Sequence, residues 1–452
     1  MIDLLILLVL VAAIVLVTAR FKLSPFLALL GAAFIGAFAY RISTGDVITT
    51  ITTAFGNNLG NIGLVILFGT MIGVVLERSG AAIAMADALI KVLGTRFPNL
   101  TMSVIGYIVS IPVFCDSGYV ILNSLRKAIT LRTGVSALST SIALMTGLYA
   151  THTLVPPTPG PLAAADAIGI TEQLGLLIAI GLPVAAVAAA AGLFFASRFT
   201  HREFEMLPAQ GDDLADHTYE ELRASYGTLP SAGMAFMPIL VPLALICAGS
   251  IVKLPARPIG EGAAFDVLSF LGTPVVALVI GLAAATLLLR GAGKLERFND
   301  NINESIRVAA PILLITAAGA AFGAVLAASP ITDFLADNLS DLGLGLLVPF
   351  IIAAALKTAQ GSSTVSLVTT SALVAPLLGS LGLDSQMGMV LTVLAIGAGA
   401  MVVSHANDSY FWVVSQLSRI PVATAYKTLT VATLVEGLAA FATIWVIGVI
   451  VL

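Results

Sequence analysis

The sequence predicts an all-α polytopic membrane protein built from two inverted repeats of five spans, each with a re-entrant hairpin and a broken helix. Three observations carry that expectation. The 452 residues are 58% hydrophobic and 10% charged, against roughly 25% charged in soluble domains, so ionic side chains are too few to clothe a water-facing surface. Apolar runs of the roughly 20 residues needed to cross a bilayer recur along the whole length. Basic residues, finally, sort to one side of the resulting topology, as short cytoplasmic loops require.

Ten spans are expected, near residues 3–19, 24–40, 59–76, 136–160, 173–196, 234–252, 267–289, 308–327, 387–418 and 426–450. The first run, Met1 to Ala19, has neither a basic n-region nor a small-residue cleavage site, and reads as a span and not a signal peptide. Two further apolar stretches, 100–130 and 343–378, are interrupted by polar and small residues and read as re-entrant hairpins. With the N-terminus outside, Arg41, Lys253, Arg257 and, within the second hairpin, Lys357 stay outside, while the other 17 of the 21 Lys and Arg fall inside. Both termini are then periplasmic in a bacterial inner membrane. The expected division is an N-terminal repeat over 1–199, a cytoplasmic linker over 200–232 and a C-terminal repeat over 233–452.

The halves echo each other. Ser24-Pro25 opens SPFLALLGAAFIGAF and Thr273-Pro274 opens TPVVALVIGLAAATL. An Asn-containing amphipathic stretch follows each, then a Gly-rich span, a broken hairpin, and a span with a Thr-His or Ser-His pair. Pro25 lies 249 residues before Pro274, and His152 lies 253 before His405. Five is an odd number of spans, so the second half enters with opposite polarity, an arrangement that places binding sites near the bilayer midplane.

Backbone at membrane depth must be hydrogen-bonded and is irregular only where it lines a cavity or is buried in protein. Four segments break that rule: Ile111 to Gly118 in the first hairpin, Thr151 to Pro161 with its four prolines, Thr358 to Thr364 in the second hairpin, and Ser404 to Ser409. Helix ends at such breaks offer free N–H groups and a positive dipole, which suit a carboxylate. Ser117, Gly118, Gly361, Ser362, Ser363 and Thr364 add small hydroxyls and close backbone approach. His152, Thr153, His405 and Asn407 add donors and acceptors at matching places in the two halves. This inventory fits a ligand with a carboxylate and several hydroxyls. Asp116 and Asp408 are the candidate proton-coupling residues, because an ionisable group at membrane depth is costly and marks function by default. Asp116 is the first choice, since a hairpin tip would move with substrate; Asp408 and His152 are the alternatives. The competing plain roles are helix kinks for the prolines, interhelical hydrogen bonds for the hydroxyls and packed core positions for the histidines. Glu77-Arg78 reads as a span end, Asp166 with Glu172 as an outside loop, and Asp87 with Lys91 as a surface i, i+4 pair.

Other classes are excluded or weakened. Cys115 and Cys247, the only two cysteines, are far apart and suggest neither a disulfide framework nor a thiolate metal site; no cofactor or metal is expected. A net charge of −4 gives no nucleic-acid footprint. No Walker-type motif provides an ATP-driven engine. An intramembrane enzyme using His405 and Asp408 or His152 as acid–base groups would need one asymmetric site, whereas breaks occur in both halves. A passive channel is disfavoured by the hairpin plugs.

At Thr151-His-Thr-Leu-Val-Pro-Pro-Thr-Pro-Gly-Pro161, Val113-Phe-Cys-Asp-Ser-Gly118 and Ser404-His-Ala-Asn-Asp-Ser-Tyr-Phe-Trp412, the sequence resembles the gluconate permease family. These are the GntP-type gluconate:proton symporters of the ion transporter superfamily. The resemblance covers essentially the whole chain; the QGSST of the second hairpin is its least specific part. It implies proton-coupled uptake of gluconate or a related small organic anion, an elevator-like movement of the hairpin-bearing domain in the lipid bilayer, and a homodimer. Family members also carry D-serine, glycerate or fructuronate, so the substrate stays open, as does sodium in place of the proton.

Overall fold

The computed structural model describes residues 2–21, 23–202, 204, 219–252, 260–289, 293–330, 345–406 and 408–452, and every regular element among them is helical. The first half contains α1 (Ile2–Ala19), α2 (Pro25–Ala39), α3 (Thr44–Arg78), α4 (Ala81–Leu93), α5 (Pro98–Val109), α6 (Cys115–Thr133), α7 (Ala137–Leu154), α8 (Pro159–Ile168) and α9 (Leu174–Ser197). A short α10 (Tyr219–Ser225) precedes α11 (Ala232–Val252), α12 (Ala263–Leu271), α13 (Pro274–Thr286) and α14 (Lys294–Ala327). Then come α15 (Leu347–Gln360), α16 (Ser363–Val374), α17 (Gln386–Met401), α18 (Ser409–Leu417) and α19 (Val422–Val451).

Prolines in the first turn start α2, α5, α8 and α13, where the missing N–H costs nothing and the fixed φ suits the helix. Among the described residues four helical stretches are long and apolar enough to cross a membrane: Thr171–Ser197, Ala232–Val252, Lys294–Ala327 and Val422–Val451. There are up to six if two bent pairs each count as one span. The amphipathic and Gly-rich pieces expected separately in each half run on in one helix, α3 of 35 residues, bent by 44° between Asn61 and Gly63, and α14 of 34. Large apolar side chains face outward on α1, α2 and α19, including Leu5, Phe38 and Val449, a surface suited to lipid and not to water.

Two bodies emerge from the packing. In one, α3 lies along α14, with α2 and α13 against them and α11 on α13. In the other, α5 and α6 pack on each other and on α7, α15 and α16 pack on each other and on α17, and α7 and α17 rest on α9 and α19. Glycines permit the closest approaches at matching places. A Cβ at Gly147 of α7 would overlap the Ser103 carbonyl of α5, and one at Gly399 of α17 would overlap the Phe350 carbonyl of α15. Gly147 stands five residues before His152 and Gly399 six before His405.

Three surface expectations are corrected. Asp87 does not pair with Lys91: it takes a hydrogen bond from Tyr219 and an ion pair from Arg223 at 3.8 Å, which docks α10 on the first half. Burial, reinforced by that Asp87 carboxylate, pushes the Tyr219 phenol well above its usual range. Asp166 is no loop residue; it sits on α8 and takes a 2.5 Å hydrogen bond from Asn58 of α3. Arg126, counted among the cytoplasmic loop charges, is buried in α6, where it donates to Asn123 Oδ1 and to the Ala137 carbonyl. Residues 203 and 205–218 of the expected linker, Asp213 among them, lie outside the described residues.

Candidate functional site

Three of the four interruptions are narrower than their sequence signatures, the last being a residue wider, and hydrogen bonds tie each of them down. In the first hairpin the chain leaves helix between Val109 and Cys115, and Ser110 Oγ donates to the Val113 carbonyl at 2.8 Å. In the proline segment α7 runs through His152 and Thr153 to Leu154. Pro156 and Pro157 then block it, and Thr158 Oγ1 donates to the carbonyls of His152 and Val155 at 2.9 and 2.7 Å. In the second hairpin only Gly361 and Ser362 separate the arms. Gly361 adopts φ +89°, a left-handed conformation that favours glycine, and Ser362 Oγ caps α16 by accepting from Val365 N at 3.2 Å. In the last break α17 stops at Met401 and α18 starts after Asp408, whose Oδ1 caps it by accepting from Tyr410 N at 3.0 Å. Ser404 N donates across to Thr433 Oγ1 of α19 at 3.0 Å, and Trp412 Nε1 to the Ala406 carbonyl at 2.8 Å.

These interruptions converge, and elements of opposite halves meet there. The second arm of the first hairpin, α6, packs on α18, and the second arm of the other hairpin, α16, packs on α8. Tyr119 and Ser418 share a 2.6 Å hydrogen bond, Asn123 Nδ2 donates to the Leu417 carbonyl, and Gly160 of α8 lies against Thr364 and Leu367.

At the centre is Lys357. It was expected on the outside as a loop charge, but it is wholly buried on the last turn of α15. Its Nζ donates to the Gly361 carbonyl, closing the hairpin tip, and lies 2.5 Å from Asp408 Oδ2. Ser404 Oγ donates to the same carboxylate oxygen. A buried cation survives only when paired and hydrogen-bonded, and this constellation meets both conditions. Tyr149 stands beside it, with Lys357 Nζ 5.9 Å from the ring centroid and the phenol donating to the Ala400 carbonyl of α17 at 3.5 Å.

The sequence candidates divide by position. Asp116, Ser117, Ser362, Thr364 and His405 are half-buried and form an accessible rim, with exposed Ser409 donating to Asp116 Oδ1 at 3.3 Å. Asp116 and Asp408 stand within electrostatic reach of one another. The His405 ring nitrogen Nε2 bonds the Thr358 carbonyl at 2.8 Å, joining the last break to the second hairpin. Gly361, Ser363, His152 and Asp408 lie deeper. His152 faces the Phe114 ring at 5.7 Å and keeps a buried Nδ1 without a hydrogen-bond partner among the described residues. Two candidates serve packing or helix contacts in this arrangement: Gly118 lies on Leu148, and Thr153 Oγ1 donates to its own helix at Tyr149; Ser117 stands beside Glu77 of α3. Asn407 lies outside the described residues. Among the described residues no group of three or more His, Cys, Asp and Glu is arranged to hold a metal.

Sequence reasoning missed Lys357, Tyr149, Tyr410 and Ser404. For Lys357 a signal existed: it is a basic residue inside an apolar stretch, the same criterion that selected Asp116 and Asp408.

Comparison with known proteins agrees with this architecture. The chain is 32% identical to a gluconate permease of Pseudomonas aeruginosa, covering 93% of this chain and 91% of that protein. It is also 32% identical to the D-serine transporter DsdX of Escherichia coli, with 96% of each covered. The crystal structure of the YdaH transporter of Alcanivorax borkumensis superposes with a TM-score of 0.67 at 15% identity, over 94% of this chain and 99% of that one, a likeness of fold. A model of the GntP family of permeases matches residues 2–450, and the chain belongs to that family.

Proposed function

We propose that the chain is a proton-coupled symporter that takes gluconate or a related small hydroxy acid into the cell by an elevator-like movement. As a member of a permease family it is a transporter and not an intramembrane enzyme, so acid–base catalysis by His405 and Asp408 falls away. The observation that carries the proposal is the buried Lys357–Asp408 pair beneath a half-exposed rim of hydroxyl and carboxyl groups. A carboxylate entering at the N-terminus of α16 meets the Ser362, Ser363 and Thr364 segment and its free N–H groups, with the Lys357 charge behind them. Its hydroxyls meet His405. Asp116, on the facing tip, takes the proton, because an arriving anion adds like charge beside it and Asp408.

The matching order of long helix, hairpin and broken helix in each half supports the inverted-repeat organisation. The apolar face lined by Pro112, Pro156 and Pro157 of the tip-bearing body and by Pro238, Pro242 and Pro274 of the other supports sliding of one against the other. Inner-membrane placement with periplasmic termini and a homodimeric assembly belong to the same proposal. Sodium could replace the proton, and D-serine, which shares a carboxylate with a hydroxyl on the β-carbon, could replace gluconate.

A thermal-stability screen of purified protein tests the ligand class. A ligand at a hundredfold its Kd stabilises by roughly 2.7 kcal/mol. Gluconate, glycerate and D-serine are compared with hexanoate; stabilisation by hexanoate alone, or by none of them, rejects the proposed site chemistry.

A further inference from the structure

Glu436 lies in the middle of α19, wholly enclosed, and neither carboxyl oxygen has a hydrogen-bond partner among the described residues. Five helices pack along α19: α7, α9, α17, α18 and, through the stacked Phe350 and Phe441 rings, α15. The helices α9 and α17 carry no titratable side chain. Those on α7 and α18 are Tyr149, His152 and Tyr410, and both tyrosines stand within electrostatic reach of Glu436. The one cation on these helices, Lys357 of α15, is taken up by Asp408 and the Gly361 carbonyl and not by Glu436. An ionised carboxylate in such a place is prohibitively expensive, whereas the neutral acid can be accommodated. Packing alone does not call for a carboxyl group here, since a methionine or leucine would fill the space without a polar group to desolvate.

Its position is specific. Thr433, one turn earlier, accepts the Ser404 N–H and so holds the break between α17 and α18. Gly437, the next residue, lies against Val402, Met401 and the Ala398 carbonyl at the end of α17. On the other side, Tyr410 and Tyr149 are in ring contact at 5.2 Å, and Lys357 Nζ lies 5.9 Å from the Tyr149 ring. The carboxyl group is therefore seated at the hinge of the broken helix and joined, through two tyrosines, to the charged floor of the site.

We infer that Glu436 is a proton-binding site of the transporter, loaded as the neutral acid in this arrangement and unloaded when the α17–α18 break moves. The inference rests on the proton-coupled reading above and deepens it. Asp116 on the rim meets the aqueous face, and Glu436 holds the proton in the enclosed interior. A substrate carboxylate at the site adds negative charge on the Tyr149 side of Glu436 and so favours its protonated form. By linkage, the protonated form favours the anion to the same extent.

Two measurements test it. The infrared spectrum of the purified parent at pH 7 should show the carbonyl stretch of a protonated carboxylic acid that is missing in Glu436→Gln. An unchanged spectrum overturns the inference whatever the substrate. In liposomes with a proton gradient, Glu436→Gln should accumulate gluconate at least tenfold less than the parent, while the pH dependence of its gluconate affinity falls to the part set by Asp116. Full accumulation by the variant overturns the inference. Should Glu436→Gln lose gluconate binding too, Glu436→Asp decides: restored accumulation supports the proton site, and continued failure makes the residue structural. A parent that accumulates no gluconate sinks the proposed function instead, and the infrared band still judges Glu436.

Discussion

Removing either member of the Lys357–Asp408 pair is the perturbation whose consequence follows most directly from the geometry. Unit charges 2.5 Å apart attract by about 7 kcal/mol at an effective dielectric of about 20. Desolvation of both groups offsets much of that, and breaking comparable buried pairs costs about 3–5 kcal/mol. Lys357→Met leaves a carboxylate that still accepts from Ser404 Oγ and Tyr410 N, so its cost belongs at the lower end of that range. Asp408→Asn leaves an ammonium with the Gly361 carbonyl as its remaining bonded neighbour, so it belongs at the upper end. The double variant buries no charge, and asparagine caps a helix as well as aspartate does. It should stand within about 1–2 kcal/mol of the parent, because the charge left uncompensated by each single change is then gone. Denaturation in detergent, scored as a double-mutant cycle, measures this. Single variants as stable as the parent, or a double variant as unstable as the sum of the singles, would refute the buried-pair account.

Alanine at Ser362, Ser363 or Thr364 should weaken gluconate binding by roughly 10- to 150-fold, since a lost hydrogen bond to a charged group costs about 1.5–3 kcal/mol; calorimetric affinities equal to the parent's in all three would move the site elsewhere. Asp116→Asn should abolish accumulation driven by a proton gradient while substrate exchange between liposome compartments continues, and retained accumulation would remove Asp116 from the coupling step. Single cysteines at Asp213 and near the C-terminus should be labelled from opposite sides of the membrane; labelling from the same side would overturn the five-span half and the inverted repeat with it.

The fold was legible where physics is local. Apolar runs marked the long helices, and first-turn prolines and the Gly361–Ser362 punctuation marked where helices start and stop. The Thr-His and Ser-His segments announced the two broken helices. What the sequence hid was partnership at long range. Lys357 precedes Asp408 by 51 residues, and a count of basic residues per side treats any lysine in a hairpin as a loop charge. The burial that reverses that assignment exists only once α15 packs against α17 and the hairpin tip folds over the lysine. Asp87 was misassigned for the same reason, because its partners Tyr219 and Arg223 arrive from the linker and not from its own helix. Ser117 and Gly118 share a motif with Asp116, yet one faces Glu77 of α3 and the other Leu148 of α7; helix phase separates residues that sequence adjacency groups together. Glu436 sits in an apolar span with no motif around it, so only its enclosure draws attention to it.

Uptake of radiolabelled gluconate by purified protein in liposomes, with an inward proton gradient and no sodium, addresses the central claim most directly. The account predicts accumulation above the external concentration that collapses on adding a protonophore and is lost in Lys357→Met. Equilibration without accumulation, accumulation that requires a sodium gradient, or unimpaired accumulation by Lys357→Met would contradict it.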